Sequence, residues 1–137
     1  MTIRPMIMDD FEKVYELWQR AELYMEPIAE KKKEVALMIK INPTTCLVGI
    51  ENNHIIGACM GLFNGRRGWI YHLAVDPVYQ HKGYGSLLLK KTEEALKKIG
   101  TRAINLFVDK DNLEVVPFYT KKHYSTFNKS IILRKVL

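Results

Sequence analysis

A chain of 137 residues, 47% apolar and 26% charged, has the size and balance of one folded domain around a single core, and its make-up is neither disordered nor collagen-like. No run of about 18 apolar residues occurs, and the opening Met1-Thr2-Ile3-Arg4-Pro5 lacks the basic and apolar segments of a secretion signal, so a cytoplasmic protein with no membrane partner is expected. The formal net charge of +6 suits nucleic acid, an anionic surface, or a small cofactor carrying several phosphates.

Residues 2–6 read as a first strand, after which Asp9 or Asp10 caps a helix with Phe11, Val14, Tyr15, Trp18 and Ala21 on one face. Beyond the loop at 24–27 a second helix is expected over 30–41, burying Val35, Met38 and Ile41 and stopping at Asn42-Pro43. Segments 45–50 and 55–63 make a hairpin around Asn52-Asn53, and pairing Glu51 with His54 sets Cys46 opposite Cys59 along the ladder. Both thiols are expected to stay reduced, and with the four histidines they match no zinc spacing, so no metal is expected.

After a turn at Asn64-Gly65 a central strand runs over 69–75 to Asp76-Pro77. Alternation groups Trp69, Tyr71, Leu73 and Val75 on one face and turns His72 to the other. Residues 84–99 form a helix with Leu88, Ala95 and Ile99 as a stripe, Leu89 and Leu96 beside it, and Gly100 as its C-terminal cap. A strand over 102–108, a helix opened by Asp111-Asn112, and extended segments at 124–127 and 130–136 complete a single domain over 1–137. Pro117 lacks a backbone donor and clashes inside a helix, so the Asn112 helix is expected to be short or kinked. Adjacent hairpins plus one long helical connection predict an α/β fold with a mixed sheet and one parallel crossover.

The segment richest in chemistry is Gln80-His81-Lys82-Gly83-Tyr84-Gly85, which leads from the 69–75 strand into the long helix. Gly83 and Gly85 allow tight turning and close approach of a ligand to backbone, and the first-turn N–H groups of the helix have no internal acceptors. A pyrophosphate satisfies them, helped by the helix dipole, by Lys82 and His81 at the rim, and by the hydroxyl of Ser86. Leu88 stands where a dinucleotide fingerprint needs a third glycine, and no Walker A sequence is present. The lysines are spread over 31–33, 90–98 and 121–129 with no stacking aromatics gathered among them, so no nucleic-acid partner is expected.

The run from Leu73 to Gly85 resembles the central motif of the GNAT acetyltransferases, in which Gln/Arg-x-x-Gly-x-Gly/Ala follows an apolar strand. Asn112 followed seven residues later by Tyr119 resembles the family's C-terminal segment, although His123-Tyr124 stands where a Gly-Phe pair is usual. The resemblance implies the GNAT acyl-CoA N-acyltransferase fold: a mostly antiparallel sheet with splayed parallel central strands and helices on both faces. It implies acetyl-coenzyme A as co-substrate, its pantetheine arm bonded to the backbone of Leu73, Ala74 and Val75, and an amide N–H there polarising the thioester carbonyl. Tyr119 matches the general acid that protonates the departing thiolate, and Asn112 is expected to cap its helix or bond the pantetheine.

The acceptor implied is a small-molecule or peptide amine. Trp69 and Tyr71 are candidates to line its pocket with Trp18, as core aromatics also do, and Glu22 and Glu26 are candidates to overhang its mouth. No carboxylate stands at 69, 71, 73 or 107 to serve as base, which leaves a water relay or a non-catalytic acyl-coenzyme A sensor as the other reading. Pairing into a homodimer is a further option that the family leaves open.

Overall fold

The computed structural model describes residues 1–137, which fall into two compact units, Met1–Leu106 and Phe107–Leu137. In the first, the elements follow as β1 (Thr2–Pro5), α1 (Phe11–Arg20), α2 (Ile28–Ile41), β2 (Cys46–Glu51), β3 (His54–Phe63), β4 (Gly68–Val75), α3 (Tyr84–Lys98) and β5 (Ile104–Leu106). The strands form one mixed sheet in the order β1-β2-β3-β4-β5, antiparallel except for the parallel pair β4–β5 that α3 connects.

Alternation along the strands gives the sheet two apolar faces. Cys46, Val48, Ala58, Met60 and Ala74 pack with Phe11, Val14, Leu17 and Trp18 of α1 and Val35 of α2. On the opposite face β3 carries Gly57 and Gly61, and the absent side chains admit α3. A Cβ on Gly57 would meet Leu88, and one on Gly61 would meet Thr92 and Leu96. Leu88, Leu89, Thr92 and Leu96 are the buried residues of α3, so its stripe is rotated from the expected one and leaves Ile99 outside. Gly100 caps the helix with φ +102, and Thr101 N–H returns to Leu96 O.

The Asn52-Asn53 turn forms with both residues left-handed, and Glu51 faces His54 as expected. A bulge between Gly49 and Ile50 then shifts the register, so Cys46 faces Met60 and Leu47 faces Cys59. The predicted Cys46–Cys59 pairing is therefore wrong by one residue, and the two cysteines lie on opposite faces of the sheet. Burial pushes both thiols up to about 12 and leaves them poor nucleophiles.

In α2, Val35 is buried as predicted, but Ile41 is 62% exposed, and the buried residue one turn earlier is Lys31. Segments 124–127 and 130–136, expected as strands, carry no strand, and β5 is shorter than its predicted 102–108. β5 consequently stands at the sheet's edge, with β4 the only strand pairing it, where a pair of central parallel strands was expected.

The second unit holds a 3-10 turn at Lys110–Val115 and α4 (Val116–Thr120). The chain kinks at Asn112, with φ −131 and ψ 39, and Pro117 falls in the first turn of α4, where its missing N–H costs nothing. The capping role expected of Asn112 is not taken: Asp109 occupies the N-cap of the turn and Val115 that of α4.

Candidate active site

One strand changes character along its length. β4 begins as a regular partner of both neighbours, with Gly68, Trp69 and Ile70 paired to Phe63, Leu62 and Gly61 on one side and to Ile104, Asn105 and Leu106 on the other. Beyond Ile70 the pairing with β5 ends, and beyond Tyr71 the pairing with β3 is interrupted. Tyr71 faces Met60 and Ala74 faces Ala58, so His72 and Leu73 together oppose Cys59. This is a β-bulge, and His72 takes the left-handed conformation, φ +51, that a non-glycine residue rarely adopts.

The bulge corrects the predicted alternation. Trp69 and Tyr71 share a face, with their rings 6.3 Å apart, but Val75 faces Gly57 and so has crossed to the α3 side. His72, expected opposite Tyr71, lies on the same side. Its ring is 6.4 Å from that of Tyr71 and 4.9 Å from that of Trp18.

The bulge also decides which peptide groups look outward. Asp76 N–H donates to Ile56 O, so Ala74 and Asp76 turn towards β3 and Val75 turns towards the side that β5 has left. There Gln80 Nε2 donates to Val75 O at 2.9 Å, which ties the end of the strand to the start of the loop. Asp76 Oδ1 accepts from Val78 N–H and starts the turn Pro77–Tyr79, while its Oδ2 pairs with Arg20 Nε at 2.9 Å.

The loop that follows is built to present donors. His81 and Gly83 both have positive φ, +62 and +85, and no side chain caps α3 at Gly83. The first helical bond runs from Leu87 N–H to Gly83 O, so the N–H groups of Tyr84, Gly85 and Ser86 have no acceptor within the helix. A Cβ on Gly83 would find nothing within 4 Å, so this surface is open. Lys82 Nζ lies 5.5 Å over the Tyr79 ring, whose centroid is 6.2 Å from that of Tyr84, and holds a cation beside those donors. The donor set therefore fits a pyrophosphate.

The expected mouth residues differ. Glu22 is exposed and left-handed at the end of α1, where its N–H donates to Gln19 O. Glu26 is paired: its Oε2 is 3.3 Å from Lys31 Nζ, an ion pair without hydrogen-bond geometry. Lys31 Nζ also pairs with Glu34 and lies 2.7 Å from His72 Nε2 and 5.9 Å from the Trp18 ring. Burial, then the Lys31 charge, pushes His72 down to about 4 against the opposing pull of Glu34 and Glu26. The imidazole is thus neutral at pH 7, with Nε2 accepting from the ammonium.

Lys31, Glu34 and the contact face of His72 are what sequence reasoning missed. Lys31 had a signal, since it lies four residues before Val35 on the same face of α2. His72 had none, because strict alternation hides a bulge.

In the second unit the Tyr119 ring makes edge contacts with Phe118 at 5.0 Å and Tyr124 at 5.6 Å. Its carbonyl accepts from Tyr124 N–H. His123 is left-handed, φ +71, at the position where the resembled motif has glycine.

No helix is long and apolar enough to cross a membrane. The family described as "Acetyltransferase (GNAT) family" matches residues 11–124. An "Acetyltransferase" of Yersinia pestis (strain Pestoides F) is 34% identical over 137 residues, covering 100% of this chain and 96% of the relative. Among solved structures, the aminoglycoside antibiotic 6'-N-acetyltransferase of Acinetobacter haemolyticus superposes with a TM-score of 0.79 at 16% identity, over 100% of this chain and 99% of that one. The PaiA N-acetyltransferase of Thermoplasma acidophilum, in complex with coenzyme A, gives 0.75 at 24% identity, over 88% and 87%. The two structures speak for the fold, and the family match with its full-length relative speaks for the lineage: this chain belongs to the GNAT acetyltransferases and uses acetyl-coenzyme A as its co-substrate.

Proposed function

We propose that the chain transfers an acetyl group to a primary amine, with the backbone from Gln80 to Ser86 seating the pyrophosphate of acetyl-coenzyme A and Tyr119 acting as general acid. The observation that carries the reading is the continuity of donors: the outward peptide of Val75, tied through Gln80 to the uncapped start of α3. Bound acetyl-coenzyme A supplies an activated acyl group and a thiolate leaving group. Leu73 and Val75 bind its arm through their peptide groups, Ala74 stands beside it with its own peptide turned towards β3, and an N–H of this strand polarises the carbonyl. His81, Lys82, Gly83, Tyr84, Gly85 and Ser86 hold the phosphates, and Asn112 bonds the arm. Tyr119 Oη delivers a proton to sulfur.

Trp69 and Tyr71 wall the acceptor pocket, and Glu26 stands at its edge. Burial first, and the charge of Glu34 second, raise the Tyr71 hydroxyl and keep it neutral. Because His72 Nε2 is engaged by Lys31, the amine's proton leaves through water. One fold neighbour is an aminoglycoside acetyltransferase, and since the fold alone does not fix the acceptor, the amine class is left to the substrate panel.

Calorimetry with coenzyme A and detection of free thiol across a panel of peptides, polyamines and aminoglycosides test the reading. Tyr119→Phe is expected to keep coenzyme A affinity and lose roughly 10²–10⁴-fold in kcat. Full turnover by that variant would remove Tyr119 from the role of acid.

A further inference from the structure

A lysine in the apolar stripe of a helix is an unfavourable choice for stability. Lys31 is 2% exposed, yet methionine or leucine at this position of α2 would fill the same space without the desolvation of an ammonium. Two carboxylates, Glu26 and Glu34, offset part of that cost, and both remain partly in water at 43% and 51% exposure. The ammonium's third partner is His72 Nε2, at 2.7 Å, on the one residue of β4 whose backbone is left-handed.

His72 is held at three points from one side of the sheet. Trp18 Nε1 donates to His72 O at 3.2 Å, the Trp18 ring packs on the imidazole, and Lys31 fixes the far edge of that imidazole. Four residues on, Arg20 grips Asp76. α1 and α2 therefore clamp both ends of the segment whose one extra residue turns Val75 outward. Without the extra residue, the direction of every later peptide group in β4 inverts.

We infer that Lys31 is a positioning residue for acetyl transfer: by pinning His72 it fixes the bulge of β4 and so aims the peptide groups of Leu73 and Val75. This rests on the proposed function, in which those groups hold the cofactor's arm. The groups facing the imidazole are Lys31 and Glu34 from α2, Glu26 from the preceding loop, Trp18 from α1 and Tyr71 from its own strand.

The wild-type protein tests the contact directly. Imidazole nitrogen NMR is expected to show His72 neutral down to about pH 5, with the proton on Nδ1 and Nε2 accepting. A proton on Nε2, or titration near 6.5, overturns the inference whether or not any variant folds.

Lys31→Met is expected to lower kcat roughly tenfold or more and to weaken coenzyme A, with the KM for the amine unchanged. With its cationic neighbour gone and two carboxylates still facing it, His72 titrates at higher pH. The kcat profile of the variant then gains an acid limb between about pH 5 and 7 that the wild type lacks. His72→Gly permits the same φ without strain but removes the ring, and it is expected to lose kcat alongside Lys31→Met.

If either variant matches the wild type in kcat and coenzyme A affinity, side-chain pinning is not what aims the strand. Wild-type protein that neither binds coenzyme A nor turns over would instead sink the proposed function, and the tautomer result would still stand.

Discussion

At the scale of single residues, two glycines separate packing from ligand binding. Gly61 lies under α3, where an added Cβ would stand 2.6 Å from both Thr45 O and Thr92 Cγ2, and the first of these is backbone that cannot swing away. Gly83 has open space around it and only its φ of +85 to defend. Gly61→Ala is therefore expected to cost about 1–3 kcal/mol of stability and to leave coenzyme A affinity unchanged. Gly83→Ala is expected to cost about 1 kcal/mol from the left-handed backbone alone, and to weaken coenzyme A because the methyl group enters the surface formed by the helix N–H groups. Melting curves and calorimetry on both variants separate the two effects. If Gly83→Ala bound coenzyme A as the wild type does, the loop would not be the pyrophosphate seat. The importance of Gly83 was legible in the sequence, because glycine at a strand-to-helix turn has a conformational signature. That of Gly61 was not, because a close approach between elements leaves no mark until the partner helix is in place.

At the scale of elements, the junction between β1 and α1 depends on one carboxylate. Asp10 accepts from Arg4 Nη1 at 2.8 Å, from Arg4 Nη2 at 2.9 Å and from Ile7 N–H at 2.9 Å. The Arg4 hydrogen bonds hold the carboxyl below its usual range, Ile7 N–H and the Arg4 charge add to this, and burial opposes it. A depressed folded pKa means that the stabilisation is complete above the unfolded value and is lost as pH falls through the folded one. Asp10→Asn is expected to cost about 1 kcal/mol at pH 7, and the gap from wild type should close in acid, as followed by denaturant unfolding at pH 7 and pH 3. A gap of constant size would show that the charge is not what holds the junction. Sequence reading placed an aspartate at the start of α1 correctly but foresaw a cap. In the structure the carboxylate reaches back three residues to Ile7 N–H and six to Arg4 at the end of β1, so it closes the turn before α1 rather than capping the helix itself. The two bulges mark the limit of local pattern: the turn at Asn52-Asn53 is local and was legible, whereas the extra residues, Ile56 in β3 and one at His72–Leu73 in β4, show only once the strands are paired. In α2 the 3.6-residue repeat placed Val35 correctly and missed Lys31, since a lysine reads as polar wherever its partners lie.

At the scale of the whole chain, charge has an expected kinetic consequence. A net charge of +6 spread over several lysine-rich stretches makes a positive field rather than a single docking patch, and the co-substrate is a polyanion. Such a field acts on encounter. In the proposed site, where the pyrophosphate meets the α3 N–H groups, short-range bonds would then take over, and the acetyl-transfer step beyond would be insulated from salt. The Debye length shrinks from about 10 Å at 0.1 M to about 3 Å at 1 M, so the field is removable without altering any contact. Raising NaCl from about 50 to 500 mM is therefore expected to raise the KM for acetyl-coenzyme A several-fold and to leave kcat nearly constant. Lys82→Ala should reproduce only part of that rise, because Lys82 is one of many contributors. Stopped-flow binding of coenzyme A resolves the cause, with the association rate carrying the salt dependence and the dissociation rate nearly flat. A KM indifferent to salt, or one whose whole dependence vanished with Lys82, would mean that attraction is confined to the loop and that the remaining positive charge serves another purpose.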